Sequence, residues 1–185
     1  MSKVERRELI DYATYEDARE AFRSEVLAAK SVRRVHLGEH LTLLFENPLT
    51  VRYQIQEMMR AERLVREADI EHELKTYNEL LGGAGELGAT LLVEIVDAAE
   101  RKDKLARWWA LPEHLHLVLA DGSRVPASFD QRQRGDGALS SVQYLKFDVK
   151  GQVPIAAACD LAGAAAEARL SDAQRAALAD DLALA

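Results

Sequence analysis

The sequence has a single cysteine, few aromatics (6%) and no apolar run of membrane length. Each scarcity excludes something. Cys159 alone cannot close an internal disulfide, so nothing points to an oxidising compartment. With no Cys-x-x-Cys pair, thiolate zinc and iron–sulfur sites within the chain are excluded. Cys159 lies in the apolar run 153–161 and reads as a small core residue. No stretch approaches the roughly 18 apolar residues of a membrane helix. Residues 1–11 are charged and lack the apolar segment of a secretory signal. One charge sign is in deficit: 24 Lys and Arg against 31 Asp and Glu leave a net charge of −7, spread along the chain. Such a chain repels phosphate backbones, which argues against nucleic acid. Lys30, Arg33 and Arg34 could form a local basic patch, read as a solvated surface. Local catalytic signatures are missing too. Gly82-Gly83-Ala84-Gly85 follows a helix and has no Lys-Ser/Thr, so it is not a phosphate loop, and no GxSxG or HExxH occurs. The expectation is a cytoplasmic protein, free of membrane and nucleic acid.

What is present suits an ordinary folded chain. Apolar residues make up 48% and charged residues 30%, enough to bury a core in 185 residues. We expect one domain over 1–185. Ala18, Phe22, Val26 and Ala29 recur at helical spacing, giving a helix over 15–30 with Thr14 and Asp17 at its start. Residues 35–37 and 41–45 read as a strand pair about Gly38 to His40. Asn47 then Pro48 opens a helix reaching about residue 64, buried through Val51, Ile55, Met58 and Met59. A second helix over 69–81, capped by Asp69, ends at the glycines 82, 83 and 85. Residues 87–96 read as a central strand. Asp97 with Glu100 starts another helix, with Leu105, Trp108 and Trp109 on its apolar face. Alternation at Leu115, Leu117 and Leu119 and at Val125, Ala127 and Phe129, about Asp121-Gly122, predicts a hairpin. A polar loop at 131–141 is the segment expected to be mobile. Strands at 145–149 and 153–159 follow, and Ser171 with Gln174 caps a last helix. The order predicts an α+β fold: a largely antiparallel sheet with hairpins, packed by about five helices.

The densest polar stretch is 46–86, carried by two adjacent helices. Asp69 and His72, three apart on one helix face, resemble half of a di-iron helix motif. Glu57, Glu62 and His72 are therefore the metal candidates, with iron or another divalent ion as the cofactor they would hold. Two such motifs are needed and one is present. The same Glu57, Glu62 and His72, with Tyr77, could act as acids and bases, though Glu57 with Arg60 and Glu62 with Arg66 equally suit helix-surface ion pairs. His36 with His40 could meet across a turn and bind a metal, but read as two isolated surface histidines; His114 with His116 share a strand face and could chelate, but that face reads as solvent-exposed or half-covered.

Between Leu41 and Glu94 the sequence resembles a known bacterial family. Leu-Thr-Leu-Leu-Phe-Glu-Asn at 41–47 precedes Gln-Ile-Gln-Glu-Met at 54–58 and Arg-Ala-Glu-Arg at 60–63. His-Glu-Leu at 72–74, Thr-Tyr-Asn at 76–78 and Glu-Leu-x-Ala-Thr-Leu from Glu86 follow. This is similar to the family called domain of unknown function three-five-zero-one, over nearly the whole chain and most closely over 33–95. The family brings no assigned activity. The resemblance implies association with rubrerythrin and an iron–sulfur oxidoreductase, hence a role in oxidative stress or iron handling. It selects Gln54, Gln56, Glu57, Glu62, Arg63, His72, Tyr77, Asn78 and Glu86 as candidate binding residues. Two functions remain open: an accessory or binding protein of a redox or iron–sulfur system, and a metal-binding protein or enzyme using a Glu/His cluster. The sequence also leaves a homo-oligomer open.

Overall fold

The computed structural model describes residues 2–133 and 137–184. Five helices and two four-stranded antiparallel sheets make an α+β fold. After an N-terminal strap comes α1 (Tyr12–Ser31), then the hairpin β1 (Arg34–Leu37) and β2 (Leu41–Phe45). Two helices follow, α2 (Pro48–Glu62) and α3 (Glu67–Asn78), and then β3 (Glu86–Val93) and α4 (Ala98–Arg107). The remainder is β4 (Leu115–Val118), β5 (Arg124–Pro126), β6 (Val142–Asp148), β7 (Ala156–Cys159), β8 (Ala166–Arg169) and α5 (Asp172–Ala183).

The first sheet has the order β1-β2-β3-β6 and the second β5-β4-β7-β8. Their facing sides share one core. The register Val35↔Leu43, Leu43↔Leu91 and Leu91↔Gln143 sets one inward row. Leu115, Leu117, Ala157 and Cys159 answer it from the second sheet. Period-two alternation produces this: a strand that puts one residue inward puts the next outward. The sheets also meet at an edge, where Ser128 and Lys146 exchange two backbone hydrogen bonds of 2.8 Å. A second cluster, Val4, Leu9, Val51, Ile55, Met59, Ile70 and Leu81, joins the strap to α2 and α3.

Most expected elements form, with corrections at their ends. Asp11, not Thr14, caps α1, accepting from the amides of Ala13 and Thr14. Asn47 caps α2 in a reciprocal box with Thr50. Arg66 stands at the N-cap of α3 without a side-chain bond, and Asp69 lies in the first turn, where a carboxylate favours the helix dipole. Trp108 is the buried C-cap of α4, whereas Trp109 stays 42% exposed. Gly82 serves close approach, not the left-handed cap: a Cβ there would lie 2.3 Å from the Glu86 carbonyl oxygen. Gly88 matters in the same way, since a Cβ would sit 1.9 Å from the Leu80 carbonyl oxygen. The turn after α3 thus lies flush on β3. Strand β8 was not expected, because Ala166-Glu-Ala-Arg169 has alanine and charge where strands favour branched residues; pairing with β7 overrides the propensity. Of the loop 131–141, Gln131–Gln133 form a 3-10 turn, and residues 134–136 lie outside the described residues.

Candidate functional site

Of the nine selected residues, Gln56, Asn78 and Glu86 hold backbone groups, Glu57 pairs with α1 and Tyr77 lines a cleft. Gln56 is 2% exposed. Its Oε1 accepts from the Ile10 amide at 2.8 Å and its Nε2 donates to the Ile10 carbonyl at 3.1 Å. Asn78 does the same for Val4, with both bonds at 2.9 Å. A primary amide presents a donor and an acceptor side by side and so matches one residue's N–H and C=O. Glu86 closes a turn by accepting from the Gly83 amide at 2.9 Å. Arg63 is the left-handed C-cap of α2, at φ 51°.

Glu57 is bound by α1. Its Oε1 accepts from the Tyr15 hydroxyl at 2.7 Å and from Arg19 Nε at 2.8 Å, and its Oε2 accepts from Arg19 Nη2 at 3.0 Å. The Arg19 guanidinium holds this carboxyl below the usual range. Burial first, then the hydrogen bond to Glu57, pushes the Tyr15 phenol up. Glu62 and His72 are exposed. The expected Glu57–Glu62–His72 cluster does not form, and among the described residues no three His, Cys, Asp or Glu gather as a metal-holding group. The physical reason is that Glu57 faces α1, where a cation and a phenol already occupy it.

Gln54 hydrogen-bonds Tyr77, whose phenol is raised by burial. Tyr77 stands in a cleft of about 520 Å³ between α3 and β6. Its other aromatic walls are Phe129 and Tyr144, with Lys146 and Ser128 adding polar atoms. Tyr144 is on the outward row of β6, paired with Thr90, and is 41% exposed. Gln133 fixes it by a third amide clamp, accepting from the Tyr144 amide at 2.7 Å and donating to its carbonyl at 3.1 Å. This volume is in the range of small-ligand sites. The alternation of 144 against Leu145 and Phe147 was the signal that could have marked Tyr144.

A second, more open cleft of about 660 Å³ is lined by Glu39, His40, Glu94 and Asp97. Lys104 reaches into this region, bonding His40 and pairing with Glu100 at 2.8 Å, while its ammonium lies 5.3 Å from the Trp108 ring centroid.

Sequence reasoning missed a buried polar network. Glu46 is 7% exposed and accepts from Thr90 Oγ1 at 2.6 Å and Thr50 Oγ1 at 2.5 Å. Arg33, expected in a basic surface patch, is instead buried and bidentate to Asp181 at 2.7 and 2.9 Å. Asn47 Nδ2 adds a bond of 3.3 Å to the same carboxylate. The partners are 148 positions apart, so no local pattern announces them.

None of the histidines joins a metal-holding group among the described residues. His36 lies 2.9 Å from Thr42 Oγ1, which donates to Glu94. His114 ends a 3-10 turn and pairs with Asp160 at 2.7 Å. His116, expected to be exposed or half-covered with His114, is 6% exposed, and its Nε2 has no partner. Burial pushes its pKa down. Cys159 is buried as expected, and burial raises its thiol.

The fold and site define an α+β protein with an aromatic cleft beside its first sheet. Residues 3–182 match the family described as protein of unknown function, DUF3501, and the chain belongs to that family. A crystal structure of a novel protein of unknown function from Burkholderia pseudomallei is similar, at 31% identity and a TM-score of 0.90. The match covers 98% of this chain and 100% of that one. Comparison with curated proteins finds no match.

Proposed function

We propose that this chain is a binding protein, an accessory of a cytoplasmic redox or iron–sulfur system, that holds a small ligand in the cleft between α3 and β6. The observation carrying the binding role is the cleft itself, which is lined by the aromatic residues Tyr77, Phe129 and Tyr144 and by the polar residues Ser128, Lys146, Glu79 and Asp130. Aromatic walls with a few convergent polar groups suit an amphipathic molecule. Rubrerythrin or an iron–sulfur oxidoreductase is the partner that the family resemblance implies. The alternative, metal chemistry on Glu57, Glu62 and His72, gains no support, because Glu57 is spent on Tyr15 and Arg19.

The test is anaerobic purification of the untagged protein from its native host, read by native mass spectrometry and by the identity of co-purifying proteins. The expected result is a small-molecule adduct that is lost on Tyr77→Ala with Tyr144→Ala, together with a redox partner. A bare chain mass with no redox protein recovered would sink the proposal.

A further inference from the structure

The strap before α1 lies on α2 and α3 as a peptide lies in a receptor. Val4 and Leu9 are 3% and 5% exposed, in one apolar cluster with Val51, Ile55, Met59 and Ile70. Between them, Arg6 donates to both carboxylate oxygens of Glu67, and Glu71 adds to the field that raises its pKa. Asn78 and Gln56 grip the backbone of Val4 and Ile10. Among the described residues, the strap's only other hydrogen bond to the rest of the chain runs from the Ser2 amide to the Leu184 carbonyl.

Two features distinguish this from a simple packing contact. An amide clamp reads only N–H and C=O, so it accepts any residue but proline at that point. Asn78 and Gln56 are also buried at 7% and 2%, and without a peptide backbone beside them each would face the groove with an unpaired amide. The groove therefore calls for a backbone occupant, and the present one lies outside the sheets and the five long helices. Segments outside such elements are among the first to open locally.

We propose that the α2–α3 groove is a receptor for an extended segment of a partner protein, and that residues 2–10 are its occupant in cis. The fitting segment carries an apolar residue, a basic residue two positions on and a second apolar residue five positions on, as Val4, Arg6 and Leu9 do. Glu67 selects the basic position by charge. The cis strap competes with the partner and lowers its apparent affinity by the fraction of time the groove is filled.

The test uses the full chain and a labelled synthetic peptide of residues 2–11. Val4→Ala with Leu9→Ala weakens the cis occupant and leaves the groove intact, so the peptide should bind this variant on the order of tenfold tighter than wild type. N-methylation of the peptide at the Val4 position removes the proton that Asn78 accepts and should abolish binding. Exchange of its Arg6 for Glu should weaken it. No binding to the folded variant, or equal binding of the methylated peptide, would overturn the proposal. If the double variant does not fold, hydrogen exchange on wild type decides: excess peptide should accelerate exchange at the Val4 and Ile10 amides. Unchanged rates reject the idea. A mass doubling of the wild-type chain with straps exchanged would assign the groove to a second copy and overturn the partner assignment.

Discussion

At the residue scale, two polar groups show opposite solutions to burial. Glu57 keeps its charge because Arg19 and Tyr15 satisfy it, while His116 is buried with an unpartnered Nε2 and is driven toward the neutral form. His116 has a consequence for pH. Its folded pKa is depressed below 6.5, so the unfolded chain binds the proton more readily. Its contribution to stability is complete above 6.5 and is lost as pH falls through the lower, folded value. Arg124 opposes its protonation, and Asp160 and Glu167 favour it. Urea midpoints taken from pH 7.5 downward should fall, and His116→Gln should flatten that part of the profile. An unchanged slope in the variant would assign the dependence to other groups. His116 was legible as a strand residue. Its burial was not, because one of the strands flanking it is β7, where its partner Ala158 lies far along the chain.

At the element scale, caps and turns follow sequence closely. Asn47-Pro48 and the Ser171–Gln174 box form where they stand, since each is satisfied within four residues. Elements held by distant contacts are less legible. The turn 79–82 rests on β3 only because Gly88 has no side chain, and its carbonyl at Leu80 takes that space. Gly88→Ala should therefore cost more than the roughly 1 kcal/mol spread of strand propensities, on the order of 3 kcal/mol or failure to fold. Thermal melting of the variant checks it, and a loss under about 1 kcal/mol would mean that the turn can lift at little cost. Gln54, Gln56, Tyr77 and Asn78 were legible as a group through the family motif. What each does was not, because Gln56 and Asn78 act on backbone groups at positions 10 and 4.

At the scale of the whole molecule, Arg33 and Asp181 tie the end of α1 to α5. The pair is buried and bidentate, and Asn47 contributes a third arm. Removing one partner of such a pair leaves an uncompensated buried charge, at a cost of about 3–5 kcal/mol, whereas replacing both by apolar residues is near neutral. We expect Arg33→Met and Asp181→Leu singly to lower the urea midpoint strongly, and the double variant to recover most of the loss. Additive losses in the cycle would show that the two side chains do not act as a pair.

Local patterns in the sequence set the fold class, the starts of α2, α4 and α5, the alternating rows at 115–119 and 145–149 and the family, because periodicity and capping are local and survive without tertiary context. Only the tertiary structure decided that the strands divide into two sheets over one core and that alanine-rich β8 is a strand. It also decided that Arg33 is buried rather than solvated, that Glu57 turns toward α1 and away from any metal cluster, and that Tyr77 meets Tyr144 across a cleft. Apart from β8, whose partner β7 directly precedes it, each of these depends on partners tens of residues away, whose meeting is set by packing of the whole chain and leaves no period in the sequence.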